Sequence, residues 1–298
     1  MSQFSTKKAI EFSFSTYRKH FVLLTTASAL MAASLWFCSG SLERIARQSG
    51  ISQALDSAAI AKEQGHPATV GSIIAQVGTN LKSIPGHYYI AMILVAFLGY
   101  ALFFFLALGF MNLCLTLKDT GHGSLKILFS SRFSQVKRFA GGAVLYFLSV
   151  GIGMVGAVFA IIPMTMLCKF FLSEKITPIV SAAVCLCLIV AVLVWVMGYM
   201  FFGFCILENP SIGSFEALRM SAALSKGFRG RIVKTLFLTF LVVMVPLIVL
   251  LVAVLVMGKM LSLGDYTSAA LLNSMSVLIT YPLFFLCSSY LYRSLKTR

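Results

Sequence analysis

Charge is scarce in this 298-residue chain: 11% of its residues are Asp, Glu, Lys or Arg, against about 25% in an ordinary soluble domain. Acid is the scarcer sign, with nine Asp and Glu against 24 Lys and Arg. None of the nine (Glu11, Glu43, Asp56, Glu63, Asp119, Glu174, Glu208, Glu216, Asp265) falls well inside an apolar run. Ionisable groups held in mid-membrane mark ion and proton paths because their burial is costly, so proton-coupled transport through a carboxylate is disfavoured. The chain also lacks any CxxC pair. Its seven cysteines (Cys38, Cys114, Cys168, Cys185, Cys187, Cys205, Cys287) lie in or beside apolar stretches, an odd set that suits neither a disulfide framework nor a zinc site. The four histidines are scattered through polar segments, and no Ser-His-Asp or Cys-His arrangement stands out. No metal, no cofactor and no enzymatic reaction is expected.

What fills the chain instead is apolar surface: 59% of the residues are hydrophobic. They come in runs at about 21 to 38, 88 to 117, 139 to 167, 176 to 207, 232 to 258 and 269 to 292. Several of these exceed the roughly 20 residues that cross a bilayer. The expected fold is all-α, a polytopic bundle of about six transmembrane helices forming one integral membrane domain over residues 1 to 298. A cleaved signal peptide is the competing reading of the first run, which follows Lys7, Lys8, Arg18 and Lys19 and contains small residues near Ala32 to Ser34. The basic stretch before it is some twenty residues long and patterned like a helix, which favours an uncleaved first span.

The net charge of +15 has to be located before it is interpreted. With an even number of spans both ends share a side, and that side collects Lys7, Lys8, Arg18, Lys19, Lys118, Lys126, Arg132, Lys137, Arg138, Arg219, Lys226, Arg229, Arg231, Lys234, Arg293, Lys296 and Arg298. The other side holds seven: Arg44, Arg47, Lys62, Lys82, Lys169, Lys175 and Lys259. By the positive-inside rule the richer side is cytoplasmic, with both termini on it. The expected location is a bacterial inner membrane. Basic residues between spans meet anionic headgroups, which accounts for the charge without a nucleic acid.

The cytoplasmic segments are patterned. Ile10, Phe14, Tyr17 and Phe21 recur at helical spacing beside the first basic cluster, predicting a helix in the membrane interface. Laid at a constant offset of 90, LKDTGHGSLKILFSS at 117 to 131 matches LENPSIGSFEALRMS at 207 to 221. Leu117 meets Leu207, Gly123 meets Gly213, Ser124 meets Ser214, Leu125 meets Phe215, Leu128 meets Leu218, and Ser131 meets Ser221. FSTYRKHF at 14 to 21 echoes FSQVKRF at 133 to 139 more weakly. The expected architecture is a parallel repeat in which each unit is a cytoplasmic interfacial helix followed by a membrane hairpin, chance matching of apolar positions being the alternative. Ser124 and Ser214 are placed as N-caps, Asn209-Pro210 ends a helix, and Gly227 marks a turn. From Phe215, positions Leu218, Ala222 and Leu224 predict the apolar face of the second interfacial helix.

In the outer segment, 39 to 87, Val70, Ile73, Ile74, Val77 and Leu81 predict short amphipathic helices capping the outer face. Gly151, Gly153 and Gly156 spell GxGxxG inside an apolar run. Without a strand before them they fit helix packing along Ser149, Gly153 and Ala157 rather than a dinucleotide site. Pro163, Pro246 and Pro282 are expected to interrupt spans three, five and six, and Asn112, Asn273 and Thr280 to hydrogen-bond between helices.

The segment ILENPSIGSFEALRMSAALSKGFRGR at 206 to 231 resembles a widespread, functionally uncharacterised bacterial membrane-protein family. It is similar to the membrane domain attached to some glycerophosphoryl diester phosphodiesterases. The resemblance rests on Leu207, Glu208, Asn209, Pro210, Ala217, Leu218, Ser221, Lys226 and Gly227, and extends to Ile161, Ile162 and Pro163, after which Met164 stands where the family usually has glycine. It implies a membrane fold and no activity, because the phosphodiesterase chemistry belongs to a separate soluble domain.

The leading functional expectation is a non-enzymatic membrane protein that contacts anionic lipid headgroups or a membrane-protein partner. The contacts would be made through Lys126, Arg132, Lys137, Arg138, Arg219, Lys226, Arg229 and Arg231. The alternative is a transporter or lipid-handling protein with a cavity between proline-interrupted helices.

Overall fold

A computed structural model describes residues 5–48, 85–171, 177–260 and 265–297. The short helices predicted around Val70 to Leu81 lie outside these residues, as does the side chain of Asn273. The described residues are helical, with no strand among them. In chain order the helices are α1 (Thr6–Lys19), α2 (Phe21–Gln48), α3 (Gly86–Thr120), α4 (Leu125–Leu128), α5 (Phe133–Phe171), α6 (Thr177–Val196), α7 (Phe202–Glu208), α8 (Ser214–Ser225), α9 (Arg229–Met260) and α10 (Asp265–Lys296), with a 3-10 turn at Met197–Tyr199. Four segments among the described residues are long and apolar enough to cross a membrane: Phe21–Ile45, Gly86–Thr120, Phe133–Gly156 and Ala182–Glu208. Charges are nearly absent from them, and a helix satisfies all its own backbone groups, which a bilayer demands.

Two boundaries differ from the sequence reading. The first apolar helix does not stop at 38 but continues to Gln48, taking the start of the supposed outer segment with it. Its last turns, Ser39 to Gln48, are polar yet free of proline, so nothing there breaks the helix. The run 176 to 207 is not one helix: α6 ends at Val196 and α7 begins at Phe202. Pro163 and Pro282, by contrast, lie inside helices that continue past them.

The chain forms two compact units, residues 30–103 and the remainder. In the smaller unit α2 meets α3 at Gly99, where a Cβ would stand 2.5 Å from Cys38 Cβ and Sγ. Only glycine allows that approach.

In the larger unit the packed core gathers toward one set of helix ends. Leu106 to Phe110 and Leu113 to Leu115 of α3 are buried, as are Phe201 to Ile206, and Leu283, Leu286 and Leu291 of α10. Aromatic rings lock these ends: Phe139 stacks on Phe202 at 5.2 Å, Phe204 on Tyr292 at 5.3 Å, and Phe110 meets Phe285 edge-on at 5.4 Å. Of the stripe Ser149, Gly153 and Ala157, Gly153 lies against Trp195 and Val192 of α6, and the side chain of Ala157 lies outside the described residues. Gly151 and Gly156 face open space.

The N-terminal helix forms as predicted, begun by Ser5, whose hydroxyl accepts from the Lys8 amide at 3.5 Å. The face it buries against the protein is made of small residues. Ala9 and Ser13 point inward, while Phe21 is 52% exposed. Small side chains let α1 lie close along α10, where Phe12 meets Tyr290 at 5.4 Å and the Tyr17 hydroxyl donates to the Leu278 carbonyl at 3.4 Å. Thr6 also shares a hydrogen bond with Thr235 of α9 at 2.9 Å.

Candidate functional site

The eight cations expected to meet headgroups divide into two kinds. Lys126, Arg132, Lys137, Arg219, Lys226 and Arg231 are exposed on α4, the start of α5, α8 and the start of α9. Apolar side chains are exposed between them: Leu125, Phe129 and Phe133 in the first group, Phe215 and Met220 in the second. Alternating cations and bare aromatic rings suit the boundary between headgroups and acyl chains, where a ring can sink and an ammonium or guanidinium can stay wet.

Arg138 and Arg229 are different. Both are half-buried and turned onto the protein's own backbone. Arg138 donates to the Pro210 carbonyl, and its own carbonyl accepts from Ser214 Oγ at 2.7 Å. This clasp closes the Asn209–Gly213 turn onto α5, and Gly141 makes room for it, since a Cβ there would lie 2.8 Å from Ser214 Oγ. The Arg229 guanidinium covers Gly198, with its Nε buried and without a hydrogen-bond partner.

The N-cap expectations need correction. Ser124 occupies the cap position of α4 but makes no capping hydrogen bond. At the second helix Gly213 is the cap residue, and Ser214, already helical, spends its hydroxyl on Arg138. The end of α7 at Glu208, with Asn209 following, and the turn at Gly227, with φ +81, are as the sequence predicted. The face that α8 buries is Ala217, Leu218, Ser221 and Ser225; of the predicted apolar positions Leu218 is buried, while Phe215 is 74% exposed.

Ser221 and Ser225 face the break between α6 and α7. Ser221 Oγ donates to the Gly198 carbonyl and accepts from the Phe201 amide, both at 3.0 Å, and Ser225 Oγ donates to the same carbonyl at 3.0 Å. A helix that breaks in an apolar surrounding leaves donors and acceptors that must find partners, and these two serines supply them.

A second polar cluster, which sequence reasoning missed, joins three helix ends. Arg293 of α10 pairs with Glu208 of α7 and with Asp119 of α3. Lys296 reaches Glu208 at 2.7 Å, and the Tyr292 hydroxyl donates to the same carboxylate. Burial works against the charge on Arg293, but the hydrogen bond to Asp119 and the pull of Glu208 outweigh it and hold its pKa above the ordinary value. Lys118 lies between two rings, 5.1 Å from Phe12 and 4.9 Å from Tyr290, tying α1 to the ends of α3 and α10. The only sequence signal for this cluster was the run of polar residues closing each apolar stretch.

Among the described residues no group of histidines, cysteines and carboxylates could hold a metal ion. The cations and aromatics thus form an exposed basic surface and an internal brace. Compared with protein-family models, with curated proteins and with solved structures, the chain matches none.

Proposed function

We propose that this is a multi-pass protein of a bacterial inner membrane, non-enzymatic, whose basic cytoplasmic face binds anionic lipid headgroups. Six spans are part of the reading: the four apolar helices above together with α9 and α10, which cover the remaining two apolar runs. So are the cytoplasmic termini, the parallel repeat at an offset of 90, and kinship with the membrane domain of glycerophosphoryl diester phosphodiesterases.

One observation carries the function. The exposed cations Lys126, Arg132, Lys137, Arg219, Lys226 and Arg231 alternate with exposed Phe129, Phe133 and Phe215 immediately next to span ends. An ordinary solvated loop has no use for bare phenylalanines; a leaflet surface does. Each cation near an anionic surface contributes about 1 kcal/mol, so their removal acts cumulatively.

The test replaces Lys126, Arg132, Arg219, Lys226 and Arg231 by Gln and measures retained phosphatidylglycerol by native mass spectrometry after mild extraction. Retention is expected to fall severalfold. Unchanged retention would reject the reading.

A further inference from the structure

The outward face of α5 bears a feature that general contact with headgroups does not require. Lys137, Val144, Leu148, Gly151 and Val155 follow one another at steps of seven, four, three and four residues, which places them on a single line along the helix. Phe133 precedes this line, and Phe147 and Ile152 flank it. Phe133 is 83% exposed, and Val144, Phe147, Leu148, Ile152 and Val155 are all exposed as well. Val144, Phe147, Leu148, Gly151, Ile152 and Val155 line a groove of 580 Å³. At its centre Gly151 leaves a notch: a Cβ there would meet nothing within 4 Å.

We propose that this groove is a binding site for one anionic phospholipid, with the phosphate at Lys137 and an acyl chain laid along Val144 to Val155. The inference rests on the membrane reading above and deepens it, by assigning one lipid molecule a fixed seat.

Three features favour this occupant. The lining is apolar throughout, which a lipid chain matches and a solvated peptide does not. Its length fits: eleven residues of helix rise about 16 Å, close to half of a hydrocarbon core about 30 Å thick. That matches the length of one leaflet's acyl layer, and the groove begins about 10 Å along the helix from Lys137. The charge fits as well, because Lys137 stands on the same line about two turns before Val144, at the level of the first residues of the candidate span Phe133–Gly156. Its neighbour Arg138 is committed to the Pro210 carbonyl, whereas Lys137 is exposed on the groove's own line.

The test uses the full chain in nanodiscs of mixed phosphatidylglycerol and phosphatidylethanolamine, followed by detergent washing and native mass spectrometry. The variants are Gly151→Phe, which fills the notch, and Lys137→Gln, which removes the headgroup contact. Unmodified protein is expected to keep one phosphatidylglycerol. Gly151→Phe should lower that occupancy at least fivefold, and Lys137→Gln should remove the preference for phosphatidylglycerol over phosphatidylethanolamine. Size exclusion and circular dichroism confirm that each variant folds. Should Gly151→Phe fail to fold, Leu148→Trp crowds the same groove and serves in its place.

Full occupancy in the groove-filling variant would overturn the proposal, as would unmodified protein that keeps no lipid. A dimer that dissociates on Gly151→Phe without any retained lipid would also overturn it, assigning the face to a second copy of the chain. Because Gly151→Phe leaves every cation in place, its failure is separable from failure of the headgroup reading, which the five-cation variant tests.

Discussion

Segments 117–131 and 207–221 match in sequence at an offset of 90 residues, and the helix before each meets it differently. In the first, α3 runs unbroken from Gly86 to Thr120, and the short α4 rests its backbone directly on it: the Leu128 carbonyl sits against Gly109. In the second, the corresponding helix breaks at Met197–Tyr199, and the longer α8 fills the gap with side chains, Ser221 and Ser225 bonding the opened backbone. The aligned serines show what this costs. Ser221 makes two hydrogen bonds across the break, whereas Ser131 is buried with its Oγ unpaired. A buried hydroxyl is worth having only where the facing backbone has a group to offer it.

That contrast can be broken at four places. The largest effect is expected from Gly109→Ala, since its Cβ would collide with the Leu128 backbone carbonyl, which cannot rotate away. Overpacking of this kind costs about 1–3 kcal/mol, and Gly109 belongs at the upper end, measured as a loss of thermal stability in detergent. Gly198→Ala should cost less, because there the obstacle is the end of the Arg229 side chain, which can swing aside. Next, Ser221→Ala should destabilise by about 1–3 kcal/mol, by stripping the Phe201 amide and one bond from the Gly198 carbonyl. Smallest is Ser131→Ala, expected to be neutral within about 0.5 kcal/mol or to stabilise, since it removes an unpaired polar atom. Equal losses from the two serines would erase the distinction drawn here.

What the sequence made legible was local. Apolar runs placed the helices, Asn209-Pro210 ended α7, and Gly227 gave a turn that only its positive φ permits at low cost. The break at 197–199 was hidden because VWVMGYMFFGF carries no charge and no proline, and Gly198 alone is tolerated inside membrane helices. The buried faces of α1 and α8 were hidden for a related reason. Hydrophobic periodicity marks apolar faces, whereas α1 and α8 bury Ser13, Ser221 and Ser225, whose hydroxyls find backbone partners, and leave Phe215 exposed. The brace of Asp119, Glu208, Arg293 and Lys296 joins residues 85 to 174 positions apart, and no spacing rule reaches that far. The candidate cations were readable as a set, but only side-chain geometry separated exposed Lys137 from its neighbour Arg138.

The claim on which the rest depends is that the basic ends of these helices face the cytoplasm, and it is tested most directly by side-specific labelling in intact cells and inverted vesicles. Single cysteines are placed at Lys126 and Arg231 in a chain whose own cysteines are replaced by serine, then exposed to a membrane-impermeant maleimide. Labelling of both positions only in inverted vesicles is predicted. Labelling of either position from outside intact cells would contradict the topology, and with it the assignment of the basic face to the inner leaflet.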